Sequence, residues 1–188
     1  MRIISGSAKG RKLREIRGLD IRPTTDQVKE ALFNIVQFDV EGRRTLDLFG
    51  GTGQLGLEAA SRGARETVIV DASAAAVRLI RENARRCGLE VRVVCADALS
   101  FLNSCGRFDL IFLDAPYDSG LTKKALLLIK EIDILSEGGI IVCETRRDSV
   151  LPEPGLPYRF VRQYLYGRVK LSTFTRGLDN HVNCDLSG

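Results

Sequence analysis

The chain has 188 residues, 44% of them hydrophobic and 28% charged, which is typical of one globular domain. No apolar run reaches the roughly 18 residues of a membrane helix, and no signal-peptide core follows Met1. The cysteines are odd in number and lack C-x-x-C spacing, which favours reduced thiols over a disulfide framework or a zinc site. These features predict a cytoplasmic protein with no membrane segment and no metal.

Basic residues are concentrated at the N-terminus. The net charge of the chain is +4, but residues 1–17 alone carry +5 and the remainder sums to −1. This segment sets six basic residues against Glu15: Arg2, Lys9, Arg11, Lys12, Arg14 and Arg17. Such a concentration favours contact with phosphate groups, although a merely solvated basic tail has the same composition.

Turn and capping signals predict the first elements. Gly6 and Gly10 indicate a small hairpin or loop. Three apolar residues are available to anchor it: Ile3, Leu13 and Ile16. Residues 28–35 then carry apolar side chains at helical spacing behind Thr25, a suitable N-cap, so we expect a helix over about 26–38.

The stretch at 45–56 organises the rest of the chain. An apolar run ends in a glycine-rich turn and passes into a helical pattern, the unit that opens nucleotide-binding α/β folds. Gly51, Gly53 and Gly56 match G-x-G-x-x-G, and Asp71 follows about 20 residues later, at the end of the next strand pattern. The sequence therefore predicts a nucleoside-cofactor site at this turn.

Strands and helices alternate after this unit. The patterns predict strands at 67–71, 91–96, 108–113 and 139–144, and helices after Ser73, at 98–104 and at 121–135. Two final strands, at 158–166 and 169–175, are joined so tightly that they must be antiparallel.

This order of elements predicts an α/β fold. We expect the seven-stranded, Rossmann-like sheet of class I methyltransferases, mostly parallel and closed by one antiparallel C-terminal hairpin. Three segments are predicted along the chain: a basic arm or hairpin at 1–20, the methyltransferase domain at 21–177 and a flexible tail at 178–188.

The positions of the carboxylates distinguish between the possible cofactors. Ligands of open α/β sheets lie outside the carboxyl ends of the strands, where this chain carries Asp71, Asp97 and Asp114, with Asp47 just before the glycine turn. Four carboxylates would repel the pyrophosphate of a nicotinamide dinucleotide, but they suit the sulfonium, ammonium and ribose hydroxyls of S-adenosylmethionine. We expect Asp47 to face the methionine end, Asp71 the ribose and Asp97 the adenine amine. The expected cofactor contacts are Asp47, Phe49, Gly50, Gly51, Gly53, Asp71, Asp97 and Ala98.

The four residues after the 108–113 strand carry the predicted chemistry: Asp114, Ala115, Pro116 and Tyr117. They resemble the D-P-P-Y signature of methyltransferases that act on exocyclic base nitrogens. The Asp114 carboxylate and the carbonyl of Ala115 would hold the two N–H bonds of such an amine, and Tyr117 would stack on a base taken out of its helix. Alanine replaces the usual proline at 115, but the carbonyl is retained and Pro116 still favours extended geometry before it.

Further motifs extend the resemblance over most of the chain, from Met1 to about Gly177. They lie at 2–6, 9–13, 22–24, 30–34, 47–53 and 55–59. Together with the segment at 114–117, they resemble the bacterial RsmD family. The family usually has alanine where Gly50 stands, a basic residue where Gln27 stands and glutamate where Asp71 stands.

The resemblance implies S-adenosylmethionine-dependent methylation of a guanine N2 in small-subunit (16S) ribosomal RNA. The substrate would be that RNA or a small-subunit assembly particle, and the protein would act as a monomer. The expected RNA contacts are Arg2, Lys9, Arg11, Lys12, Arg22 and Thr24.

Three alternatives remain open from the sequence. An adenine-N6 methyltransferase of DNA or RNA would use the same hydrogen-bond acceptors. An RNA-binding ribosome-assembly protein would keep the fold with weak or lost activity. A nicotinamide oxidoreductase is disfavoured by the carboxylates around the glycine turn.

Overall fold

The computed structural model of the protein describes residues 1–15 and 25–177. Seven strands form one sheet: β1 (Arg44–Asp47), β2 (Glu66–Asp71), β3 (Arg92–Cys95), β4 (Phe108–Leu113), β5 (Leu135–Arg146), β6 (Tyr158–Tyr166) and β7 (Val169–Arg176). Five α-helices accompany them: α1 (Asp26–Ile35), α2 (Gln54–Ser61), α3 (Ala74–Cys87), α4 (Ala98–Leu102) and α5 (Leu121–Ile132).

The strand order is β3–β2–β1–β4–β5–β7–β6. The first five strands of this order pair in parallel, whereas β7 lies antiparallel between β5 and β6. The turn between β6 and β7 contains only Gly167 and Arg168, and Gly167 adopts a left-handed φ of 58°. The predicted mostly parallel sheet with one antiparallel C-terminal hairpin is therefore confirmed.

Apolar side chains cover both faces of the sheet. On one face, Leu46 and Val68 pack with residues of α4 and α5. On the other, α1, α2 and α3 cover the sheet, with Phe33 of α1 packing on Phe112 of β4 at a ring-centroid distance of 5.5 Å. The sheet is therefore buried on both faces, as a parallel sheet requires.

Local signals were sufficient for the helix starts but not for all the ends. Thr25 caps α1 and Ser73 caps α3, as predicted. Helix α1 ends at Ile35 rather than near 38, because the following turn directs Val36 into the core. Helix α5 ends at Ile132 rather than at 135, because the next residue is left-handed.

The N-terminal arm, residues 1–15, packs against α2 and α3. Arg2 and Lys12 form an antiparallel bridge, which makes the predicted small hairpin. Three apolar residues of the arm are buried in one cluster with side chains of α2, β2 and α3: Ile3, Ala8 and Leu13. The remaining predicted anchor, Ile16, lies outside the described residues, as does the predicted tail at 178–188.

The buried carboxylate of Glu58 holds the arm in place. It accepts hydrogen bonds from the backbone N–H groups of Ile4 at 2.7 Å and Ser5 at 2.9 Å. Arg62 Nε lies 2.9 Å from the same carboxylate and the buried Lys29 Nζ lies 3.8 Å from it. Burial lowers the pKa of Lys29, which the nearby Glu58 charge opposes. A buried charge with this many donors is compensated, so the arm is a part of the fold.

Substitutions at two glycines of the arm can show whether the arm packs against α2. Gly6 and Gly10 both have a positive φ, near 80°, but only at Gly6 would a Cβ collide with the backbone carbonyl of Ser61. We expect Gly10→Ala to lower the free energy of unfolding by about 1 kcal/mol, the strain of the left-handed region. Gly6→Ala should lower it by roughly 2–4 kcal/mol, because the arm must also move away from α2. Urea denaturation measures both variants, and equal losses of stability would contradict the packing of the arm on α2.

Candidate active site

The glycine turn at 50–53 joins β1 to α2. Gly50 N–H donates to the carbonyl of Val70 at 2.8 Å, which ties the turn to the end of β2. Gly51 and Gly53 have φ angles of 56° and 83°, in the region that side chains disfavour. The glycine pattern in the sequence therefore reflects a left-handed turn at the carboxyl end of β1.

Gly50 stands where the resemblance leads us to expect alanine, and its packing gives a reason for glycine. A Cβ at this position would lie 2.5 Å from Ile69 Cγ2 and 2.9 Å from Ile80 Cδ1. The two isoleucine side chains occupy the space that an alanine methyl group would need.

Asp47 lies beneath this turn, with only 1% of its surface exposed. One carboxylate oxygen, Oδ2, accepts a hydrogen bond from Gly56 N–H at 2.9 Å. The other oxygen, Oδ1, is buried and has no hydrogen-bond partner among the described residues. Burial raises the pKa of Asp47 to about 7, which the hydrogen bond from Gly56 and a weaker interaction with the backbone N–H of Phe49 oppose.

The unpaired oxygen of Asp47 would be satisfied by a hydrogen-bond donor of a bound cofactor. A buried polar atom without a partner is unfavourable by roughly 1–3 kcal/mol, unless a bound group satisfies it. A cationic donor, such as the ammonium of S-adenosylmethionine, would both satisfy Oδ1 and favour the ionised carboxylate. The residues present at this position therefore fit that cofactor.

Asp71 connects two turns. Its Oδ2 accepts a hydrogen bond from Gly51 N–H at 2.8 Å, and its Oδ1 accepts one from Ser73 N–H at 2.8 Å. The side chain is half-buried, and a carboxylate accepts more than two hydrogen bonds, so acceptor capacity remains for ribose hydroxyls. Asp71 stands where the resemblance leads us to expect glutamate, and its side chain reaches both backbone groups.

Asp97 is exposed and caps the short helix α4. Its Oδ1 accepts a hydrogen bond from Ser100 N–H at 2.9 Å, and this bond is the main cause of its lowered pKa. Ala98 begins α4 and is buried, while Phe49 packs partly buried against the core on the α4 and α5 face.

The strand registers bring the predicted acids to one edge of the sheet. Asp47 pairs with Ile69 of β2 and with Phe112 of β4. Asp71 and Asp114 therefore stand level with each other, each two residues beyond Asp47. Asp97 lies two residues beyond Cys95, which pairs with Asp71, so it stands one level further out. Asp47 is the deepest of the four in the register, which explains its greater burial.

The segment after β4 forms the acceptor side of the site. Asp114 is half-buried directly after the strand, and Ala115 is buried with 3% of its surface exposed. Pro116 is extended, with φ −51° and ψ 128°, and a single 3-10 turn follows at Tyr117–Ser119. This turn presents Tyr117 at the same edge as Asp114.

Glu144 is a residue of this site that sequence reasoning missed. It is 4% exposed, lies in β5 immediately beyond the pairing of Leu113 with Cys143, and accepts a hydrogen bond from the Tyr117 hydroxyl at 3.0 Å. This bond fixes the Tyr117 side chain relative to β5. The available signal was an acid that ends the apolar run at 140–143.

The arm residues predicted to bind RNA are exposed and do not all lie beside the same helix. Arg2 is exposed and lies 3.6 Å from Asp26 at the start of α1. Lys9 follows Ala8, whose N–H donates to Ser61 Oγ at the C-terminal end of α2, away from the glycine turn. Arg11 and Lys12 are exposed as well, and Lys12 lies opposite Arg2 in the antiparallel bridge. The remaining two predicted RNA contacts, Arg22 and Thr24, lie outside the described residues.

Other site types have little support in the described part of the chain. A cavity of about 400 Å³ runs along α4, from Arg44 and Phe108 at the starts of β1 and β4 to Ser100, the hydrogen-bond partner of Asp97. Within residues 1–15 and 25–177, no three potential metal ligands lie together. None of the helices in those ranges has the length and hydropathy of a membrane span.

Comparison with known proteins identifies the family. Residues 1–175 match the family described as conserved hypothetical protein 95. The chain is 32% identical over 187 residues to ribosomal RNA small subunit methyltransferase D of Escherichia coli K12, covering 98% of this chain and 94% of that protein. This chain belongs to the RsmD family.

Two further comparisons support membership of this family. The RsmD-family chain is 38% identical over 182 residues to the protein YlbH of Bacillus subtilis strain 168, covering 94% of this chain and 99% of YlbH. The solved structure of yhhF from Escherichia coli superposes with a TM-score of 0.84 at 30% identity, covering 94% of this chain and 98% of that one. The resemblance carried by the sequence motifs is therefore confirmed.

The raised pKa of Asp47 makes the stability of this RsmD-family protein pH-dependent. Its ordinary pKa is 3.8 and its folded-state value is about 7. Between these values the unfolded chain releases a proton that the folded protein keeps, so wild-type stability falls as pH rises through this window. We expect Asp47→Asn to remove this contribution.

Urea denaturation of both proteins at pH 5 and pH 8 measures the effect. The difference in unfolding free energy should shift in favour of Asp47→Asn by roughly 2 kcal/mol between the two pH values. A difference that does not change with pH would show that Asp47 is ionised throughout.

Proposed function

We propose that this RsmD-family protein transfers a methyl group from S-adenosylmethionine to the exocyclic N2 of a guanine in 16S ribosomal RNA. The observation that carries the proposal is the register that sets Asp114 level with Asp71 at one edge of the sheet. A cofactor bound at the glycine turn and a base held by the Asp114–Tyr117 segment would then meet at that edge. The ribosomal substrate is inferred from the family and from the relative named as a small-subunit methyltransferase.

The cofactor would lie along the carboxyl ends of β1, β2 and β3. Asp47 Oδ1 would accept from its ammonium, Asp71 from the ribose hydroxyls and Asp97 from the adenine amine. Gly50, Gly51 and Gly53 would present the backbone of their turn to the cofactor, and Phe49 and Ala98 would supply apolar contact. S-adenosylmethionine supplies an electrophilic methyl group on a sulfonium.

Asp114 and Ala115 would hold the target amine. Its two N–H bonds would donate to the Asp114 carboxylate and to the Ala115 carbonyl, which directs the nitrogen lone pair at the methyl carbon. The amine nitrogen would take the methyl group as its bond to sulfur breaks, with the thioether as leaving group. Asp114 would accept the amine proton that is released and pass it to water. Pro116 would keep the Ala115 carbonyl in position.

Tyr117 would provide the stacking surface for the extruded guanine. Its hydroxyl is already engaged by Glu144 at 3.0 Å, so the ring has little freedom to rotate away. A pre-positioned ring reduces the entropy lost when the base binds.

Arg2, Lys9, Arg11 and Lys12 of the arm would contact RNA phosphates, together with Arg22 and Thr24. The arm is held by the Glu58 network, so its own basic side chains project from a fixed backbone. We further infer that the protein acts as a monomer in the cytoplasm. Sedimentation of the free protein and of its RNA complex tests the oligomeric state, and a dimer would contradict it.

One assay tests the reaction and its alternatives. The protein is incubated with isotopically labelled S-adenosylmethionine and either 16S RNA transcript or small-subunit particles from a strain that lacks this protein. Nucleoside mass spectrometry should then detect N2-methylguanosine. Labelled N6-methyladenosine would favour the adenine alternative instead. Cofactor binding with no transfer to either substrate would favour an assembly protein.

Asp114→Ala should abolish methyl transfer and leave S-adenosylmethionine affinity within about twofold of wild type, because the side chain would hold the acceptor and not the cofactor. Ala115→Pro is the matched control in the same segment, and it should be neutral or modestly activating because it keeps the carbonyl. Single-turnover kinetics and calorimetry measure the two properties. Near-normal methyl transfer by Asp114→Ala would show that Asp114 has no catalytic role and only ends the strand.

Two arm lysines test the RNA contacts. Lys9→Gln/Lys12→Gln should weaken binding of 16S RNA and reduce the slope of log affinity against log salt by roughly 0.7–0.9 for each phosphate that is no longer neutralised. The control, Arg159→Gln/Arg162→Gln, removes the same number of charges from β6, the edge strand on the side of the sheet opposite the arm. Filter binding across a salt series compares the pairs. Equal effects would show only a change in net charge.

A further inference from the structure

A second basic cluster lies at the end of β5 and at the β6–β7 turn. Arg146 ends β5, Arg147 follows it, and Arg168 lies in the turn. A cavity of about 580 Å³ is lined by these three arginines and Asp148. The sequence does not predict this cluster as a unit, because 21 positions separate Arg147 from Arg168.

Backbone contacts hold the two parts of the cluster together. Arg147 N–H donates to the carbonyl of Arg168 at 2.9 Å. The Arg147 guanidinium donates to the carbonyl of Gly167 at 3.4 Å. The β6–β7 turn is therefore fixed against the end of β5, and the arginines approach each other on a rigid frame.

The cluster stands at the same edge of the sheet as the acceptor segment. Glu144, the partner of the Tyr117 hydroxyl, lies two residues before Arg146 in β5. Residues two apart in a strand point to the same face and are about 7 Å apart. Since β7 is antiparallel to β5 and pairs Val169 with Arg146, the turn that carries Arg168 lies at this edge as well.

The electrostatics of the cluster favour an anion. Three exposed guanidinium groups share the cavity with one carboxylate, and Asp148 lies 3.5 Å from Arg146. Like charges at close range repel, and an anion bound among them removes that repulsion. The planar guanidinium fork matches the paired oxygens of a phosphate, which makes arginine better suited than lysine to this ligand.

We propose that Arg146, Arg147 and Arg168 form a phosphate-binding site for the RNA strand that flanks the target guanine. The inference rests on the proposed function and adds a second RNA-binding surface to the one on the arm. The arm lies over α2 and α3, on the β2 side of Asp114, whereas this cluster lies on the β5 and β7 side. RNA bound at both surfaces would cross the carboxyl edge of the sheet, with the target guanine between the arm and the arginine cluster.

The test compares two pairs of arginines from one region of the protein. Arg147→Ala/Arg168→Ala removes two members of the cluster. Arg159→Ala/Arg162→Ala removes two exposed arginines of β6, toward the other end of the same hairpin. Both changes lower the net charge equally. Filter binding of unmodified 16S RNA transcript over a potassium chloride series gives affinity and salt slope, and steady-state kinetics gives KM for RNA and kcat.

We expect the cluster variant to bind RNA roughly tenfold more weakly at low salt, with a slope smaller by about 1.4–1.8. KM for RNA should rise while kcat and the calorimetric affinity for S-adenosylmethionine stay near wild type. The Arg159/Arg162 control should match wild type in slope. Arg168→Ala and Arg168→Lys alone separate the loss of charge from the loss of the guanidinium fork, and the lysine variant should be intermediate.

Different failures have different meanings. An unchanged slope and KM in the cluster variant, with normal RNA binding by wild type, overturns the phosphate site and leaves the proposed function standing. A wild-type protein that binds S-adenosylmethionine but neither binds nor methylates RNA overturns both. Cluster-dependent binding to phosphatidylglycerol vesicles, with RNA binding unaffected, assigns the arginines to a membrane surface and also overturns the proposal.

Discussion

Parallel pairing on both sides of β1 is the constraint on which the rest of this structure depends. Because β2 and β4 both run parallel to β1, all three strands end at the same edge of the sheet. The glycine turn after β1, Asp71 at the end of β2 and Asp114 after β4 are then brought together although they are far apart in sequence. An antiparallel neighbour would have placed one of these groups at the opposite edge.

The acids at this edge also hold the backbone. Asp71 bonds to Gly51 N–H and Ser73 N–H, Asp47 bonds to Gly56 N–H and Asp97 caps α4. Each carboxylate is therefore oriented before any ligand arrives, which is how pre-organised sites reduce the entropy lost on binding. Asp47 differs from the others because one of its oxygens is buried without a partner among the described residues, and this makes it the strongest indication of a cationic ligand.

The arm shows how a basic segment can be both a structural element and a candidate binding surface. Its backbone donates to Glu58 and its apolar residues join the core beside α2, while Lys9, Arg11 and Lys12 remain exposed. Because the backbone is fixed, the apolar residues of the arm contribute to packing while its basic residues stay available for binding. A solvated tail would have the same composition but no such division.

Local sequence was enough to predict the order of strands and helices, the N-caps Thr25 and Ser73 and the glycine turn, since each depends on residues a few positions apart. The end of α5 depended on tertiary structure, because Asp133 turns left-handed where it pairs with Arg107 and Arg176, 26 and 43 positions away. The burial of Asp47, the contact of Glu144 with Tyr117 and the meeting of Arg147 with the β6–β7 turn arose in the same way. Local spacing sets which backbone conformation a segment prefers, whereas burial and long-range pairing arise only when separate segments pack together.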